Sequence, residues 1–172
     1  MAIIPDDKDW TWVLDETCPE CGFAAAEATP ATVASTIPEL LPRWQAVLRR
    51  HEAAVRPNEH TWSALEYACH VRDVFEVFEG RLDLMLAQDN PTFANWDQDK
   101  AAVDADYAGQ DPAVVAHELL DAGEAAASAF ATVSEDQWER TGLRSNGSAF
   151  TVHTLAGYFL HDVVHHLHDV DG

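Results

Sequence analysis

His161 and His165 stand four residues apart in a segment with helical periodicity, which puts both imidazoles on one face, one turn apart. In that relation their nitrogens can converge on one ion, as the paired histidines of zinc-binding helices do. Two ligands do not make a site, and His70 is the candidate third. It falls with Tyr67, Val74, Val77 and Phe78 on the inner face of another helical segment, where an imidazole without a partner bears a desolvation cost. His168 lies further along the same stripe and could stand in for His161, because i and i+3 also converge. His153 and His166 fall off the stripe and are read as bystanders. The expectation is a metal centre of His70, His161 and His165, with a coordination position left open as in catalytic zinc sites. Zinc is the default ion, and nickel, iron or manganese also suit imidazole. Glu66 and Asp73, about one turn either side of His70, read either as carboxylates that orient it or as solvated surface acids.

A second group is Cys18-Pro-Glu-Cys21-Gly22, which has the form of one zinc knuckle. A structural zinc needs four ligands, so Cys18 and Cys21 read as half of a second metal site or as a redox pair. His51, His60 or a partner subunit could complete it, which leaves room for a homodimer. Cys69 reads as a small packing residue. Trp96 and Phe93, in a long connection, either flank a substrate or cover the core. Tyr158 shares the histidine stripe, so Trp96 and Tyr158 are the candidate substrate-pocket residues.

Four segments with helical period must position these groups. In residues 30–54, Val33, Ile37, Leu40, Leu41, Trp44 and Leu48 fall on one face, although Pro38 and Pro42 predict a kink or a late start. The second helix is expected over residues 62–87 with Thr61 as its cap. Residues 88–110 form a long connection, of the kind that often lines a site. Asp111-Pro112 opens the third helix as cap and first-turn proline. Ser134 and Gln137 have capping-box spacing, and Asn146-Gly147 predicts a small hairpin turn. The last helix starts near Val152 with Thr151 as cap, and its charged face is marked only by Asp162 and Asp169. No alternating pattern of useful strand length is present. The organisation is an irregular extension over residues 1–29, carrying the Cys-x-x-Cys turn, followed by an all-α four-helix bundle over residues 30–172.

The chain has 172 residues, enough for one domain, and is 47% apolar, so it can bury a core. Its net charge of −20 opposes binding to phosphate backbones and anionic membranes. The expectation is a cytoplasmic protein that acts on small molecules, with neither a nucleic acid nor a membrane as partner. Nothing at the N-terminus has the form of a secretory signal.

The segments Trp62-Ser-Ala-Leu-Glu-Tyr-Ala-Cys-His70, Ser145-Asn-Gly-Ser-Ala-Phe-Thr151 and His161-Asp-Val-Val-His165-His166 resemble the DinB/YfiT-like metalloenzymes. The resemblance covers about residues 30–170. It implies an up-down-down-up bundle and a three-histidine metal site, whose ligands fall on His70, His161 and His165. It further implies a thiol S-transferase or isomerase that uses a low-molecular-weight thiol such as mycothiol or bacillithiol. A non-catalytic metal- or ligand-binding bundle is the competing expectation, and a helical interaction module is a third.

Overall fold

In a computed structural model, Ile3 and residues 9–172 are described. The part of the N-terminal extension formed by residues 1, 2 and 4–8 lies outside them. The bundle consists of α1 (Pro30–Leu48), α2 (Ala64–Ala87), α4 (Pro112–Ala131) and α5 (Val152–Asp169). Strand β1 (Thr92–Phe93) and a short α3 (Gln98–Asp104) lie between α2 and α4, and β2 (Thr141–Arg144) and β3 (Ala149–Thr151) precede α5.

Helix directions follow from contacts between the ends. The Leu65 N–H donates to the Ala53 carbonyl, so α2 starts where α1 finishes and runs back. Arg140, just past α4, donates to the carbonyls of Met85 and Gln88 at the end of α2, at 2.7 and 2.8 Å. Helices α2 and α4 are therefore parallel, which is why a long connection must return the chain to the starting end. Arg50 donates to the carbonyls of Val170 and Asp171, bringing the end of α1 to the end of α5. The result is an up-down-down-up bundle. Helices α4 and α5 each pack on both α1 and α2.

Pro38 and Pro42 neither stop nor delay α1, which begins at Pro30 under a Thr29 capping box. Both prolines lie on the exposed side of α1, where water can replace the intrahelical hydrogen bond that each removes. Helix α2 starts after Ser63 and not at the expected Thr61 cap. Ser63 accepts from the Glu66 N–H while the Glu66 carboxylate accepts from the Ser63 N–H and hydroxyl. Asp111 and Thr151 cap α4 and α5 as expected, and Ser134 and Gln137 form a capping box around a 3-10 turn.

The strands form a three-stranded sheet in the order β1-β2-β3, with β1 parallel to β2 and β2-β3 a hairpin that turns through Asn146-Gly147. The long connection is more ordered than the sequence suggests, since Asp97 caps α3 by accepting from the Lys100 N–H. Phe159 lies at the centre of the core, stacked on Phe78 and Phe130 and edge-on to Phe75.

Candidate metal centres

His70 projects from the second turn of α2 and is fully buried. Its Nε2 lies 3.2 Å from Asp162 Oδ1, and its ring meets that of His166 edge-on with centroids 4.8 Å apart. One ligand-type atom from each of His70, Asp162 and His166 can be chosen so that all three lie within 4.8 Å of one another. Trp96 covers this cluster, its ring stacked on His70 at 5.3 Å and 17°. His70 Nδ1 is buried without a hydrogen-bond partner. Burial alone would raise the Asp162 carboxyl, but the facing imidazoles of His70, His166 and His161 outweigh it and hold it down to about 2. The carboxylate is therefore charged across the physiological range.

His161 and His165 face elsewhere. Together with Cys18 and Cys21 they form a second group with one ligand-type atom each, again within 4.8 Å of one another. Cys18 Sγ is 3.6 Å from His165 Nδ1. Burial pushes His161 down to about 4, assisted by neighbouring His165, and burial also lowers His165. Both shifts favour the neutral imidazole, the form that can ligate a metal. Burial, with Cys18 beside it, pushes the Cys21 thiol up to about 11.

The structure thus divides the expected ligands, placing His70 in one cluster and His161 with His165 in the other. The reason lies in helix geometry. Successive residues turn by about 100°, so 161/165 and 162/166 form adjacent stripes of the same four-residue spacing. The 162/166 stripe faces α2, and the 161/165 stripe faces the N-terminal segment. His166 is no bystander, and Asp162 belongs to no outer charged face. Both were legible only as a second i, i+4 pair of ligand-type residues beside the first. His168 is exposed and joins neither cluster.

Other expectations need correcting. His51 and His60 are exposed and lie outside the cysteine group, whose neighbouring ligand-type residues come from α5. Glu66 is buried in an ion pair with Arg56, with no role at His70. Asp73 instead bonds Arg72 and the Tyr107 hydroxyl. Phe93 is core, packed under Arg81.

A cavity of ≈ 470 Å³ lies beside Asp162 of the His70 cluster, walled also by Trp10, Trp96, Tyr158, by the guanidiniums of Arg81 and Arg144, and by the carboxylates of Asp9, Asp97 and Asp99. Trp96 and Tyr158, the expected pocket residues, both line it. The two arginines went unnoticed in the sequence, although Arg81 interrupts an otherwise apolar stripe between Phe78 and Met85. They are only 6% and 8% exposed. Arg81 lies over the rings of Phe78 and Phe93 and donates to the Ala94 carbonyl. Burial and the nearby Arg144 lower it to about 10. Arg144 donates to Asn146, Ser148 and the Tyr158 hydroxyl. A smaller hollow beside the cavity is shared by Trp10, Tyr158, His161, Asp162, His165 and His166, and so joins the two clusters.

Fold and site together define a helical bundle with ligand-type side chains gathered on its second and last helices and on the N-terminal segment beside them. Residues 6–170 match the family model of the DinB superfamily, and the chain belongs to that superfamily. The match starts upstream of the 30–170 range that the sequence motifs marked. Among solved structures, YfiT from Bacillus subtilis aligns with a TM-score of 0.68 over 83% of each chain at 16% identity. That protein is described as a probable metal-dependent hydrolase with an unusual four-helix bundle topology. At this identity the likeness establishes the fold. No curated protein matches the chain. Among the described residues, no helix is long and apolar enough to cross a membrane.

Proposed function

We propose that the chain is a metal-dependent enzyme acting on a small anionic molecule, with His70, Asp162 and His166 as the catalytic ligands. The observation that carries this reading is that Asp162 of that cluster lines a cavity which also holds two buried guanidiniums. Two imidazoles and one carboxylate suit a divalent ion, with zinc as the default and iron, nickel or manganese also compatible with the donors. When bound, such an ion supplies Lewis acidity and stabilises the anionic form of a thiol or water.

The protein's own groups supply the rest. Arg81 and Arg144 would hold a carboxylate or phosphate by charge-assisted hydrogen bonds, which are strong where water is scarce. The Tyr158 hydroxyl, held by Arg144, presents a further polar contact. Trp96 and Trp10 wall the reacting volume and limit water. The resemblance to thiol-dependent relatives favours an S-transferase or isomerase that uses a small thiol such as mycothiol or bacillithiol. The similarity to YfiT favours hydrolysis at the same position.

The test is to incubate metal-loaded protein with these thiols, or with water alone, and a panel of anionic electrophiles. Turnover should exceed the uncatalysed rate and collapse in His70→Ala and Asp162→Ala. Equal rates in parent and variants would replace the enzyme with a metal-binding bundle.

A further inference from the structure

The turn at Cys18–Gly22 is built as a ligand cradle. The Gly22 N–H donates to the Cys18 carbonyl at 2.8 Å, and the Cys18 N–H donates to the Phe23 carbonyl at 3.0 Å. Gly22 adopts a φ of +75°, a conformation that glycine takes without a Cβ penalty. Both thiols of this tight turn point to the same side, toward α5.

Cys18, His161 and His165 are 1%, 4% and 5% exposed, so three of the four groups are removed from water. His161 Nε2 is buried with no hydrogen-bond partner, which is costly for an imidazole with nothing to bind. The spacing fits an ion. Zn–S bonds of about 2.3 Å and Zn–N bonds of about 2.0 Å at tetrahedral angles set sulfur and nitrogen about 3.5 Å apart. The Cys18 Sγ to His165 Nδ1 separation is 3.6 Å. The other nitrogen of His165 faces carboxylates of Glu20 and Asp169 at 3.6 and 3.7 Å. Carboxylates in that position orient metal-bound histidines.

The backbone is shaped for the same contact. A Cβ at Gly157 of α5 would collide with the Ala25 carbonyl, so only glycine lets the segment after the knuckle lie this close to the helix. Trp10 packs on the rings of both His161 and His165.

We infer that Cys18, Cys21, His161 and His165 bind a zinc ion in a closed tetrahedral site, separate from the His70 cluster, that staples the N-terminal segment to α5. Two thiolates and two imidazoles fill all four positions, so the site is structural and not catalytic. Binding releases the thiol protons and leaves no oxidation step. The staple also fixes Trp10, which walls the cavity beside Asp162. The proposal does not depend on the enzymatic reading above.

The experiment uses the full chain loaded with cobalt(II) in place of zinc, prepared under reducing conditions. The expected result is thiolate-to-metal charge transfer in the near ultraviolet together with intense tetrahedral ligand-field bands. Both should persist in His70→Ala and disappear in Cys21→Ser and His161→Ala. X-ray absorption on the zinc form should show two sulfur and two nitrogen neighbours. Parent protein without charge transfer overturns the proposal, as does a Cys18–Cys21 disulfide in its place. Loss of the signal in His70→Ala would also overturn it, by placing the thiolates on a shared ion. Because parent and His70→Ala both retain the staple, the proposal remains falsifiable even if the cysteine variant misfolds.

Discussion

Trp96 lies flat on His70, ring centroids 5.3 Å apart and planes within 17°, although Trp96 comes from the loop between β1 and α3 and His70 from α2. The indole shields one face of the buried imidazole and forms part of the cavity wall. Replacing Trp96 with Ala should leave metal content unchanged, because no ligand is lost. Turnover should fall about three- to tenfold, in line with an aromatic contact of about 0.5–1.5 kcal/mol. Trp96→Phe should recover most of it. Unchanged turnover in Trp96→Ala would remove the indole from the reacting volume.

Metal content separates the two ways of grouping the histidines. With separate centres, the parent carries two ions per chain and His166→Ala loses one of them. If one ion is instead shared by His70, His161 and His165, His166→Ala keeps the parental content. Elemental analysis of both proteins, purified identically, decides between these arrangements.

Arg81 is the buried cation with the fewest polar contacts in the cavity wall. Arg81→Met keeps much of its packing on Phe78 and Phe93 while deleting the charge. Hydrogen bonds to charged groups contribute about 1.5–3 kcal/mol, so KM for an anionic reactant should rise about ten- to a hundredfold. Neutral analogues should be little affected. A uniform loss across both classes would mean that Arg81 supports the fold and not the ligand.

The Arg56–Glu66 pair predicts an acid-sensitive element. Burial by itself would raise the Glu66 carboxyl, but hydrogen bonds from Arg56 and Ser63 outweigh it and hold it below its ordinary value. A lowered carboxylate stabilises the fold above its unfolded pKa of about 4.3, and that contribution disappears as pH falls through the lower folded value. Glu66→Gln should therefore cost about 2 kcal/mol near neutral pH, and the gap to the parent should close in acid. Urea unfolding of metal-free protein at both pH values measures it. A gap independent of pH would assign the loss to packing alone.

Phe159 is surrounded by Phe75, Phe78 and Phe130. Phe159→Ala should destabilise the bundle by about 3–5 kcal/mol through lost burial and an unfilled cavity. A loss under about 1 kcal/mol by denaturant unfolding would mean that the core closes around the gap.

Much of the fold was written locally. Asp111-Pro112, Thr151 and the Ser134–Gln137 box act on their own next few residues, so their effect could be read without knowing any neighbour. The apolar stripe of α1 likewise predicted which side chains would be buried. Local reading failed where two signals competed. Thr61 and Ser63 are both fair caps, and the burial of Glu66 beside Arg56 settles the choice for Ser63. Strand β1 has two residues, too few for any alternation to show, and it exists because β2 lies beside it about fifty positions later.

The two candidate metal centres divide along the same line. Periodicity alone established that residues 161 and 165 share a face and that ligand-type residues crowd α5. It could not say which neighbour each face meets, because a helix repeats every 3.6 residues whatever packs against it. Tertiary packing turned the 162/166 stripe toward His70 and brought Cys18 to His165 across 147 residues. It also carried two arginines into a cavity that no local pattern encodes, since burial depends on the surfaces that close over a side chain and not on its own neighbours in sequence.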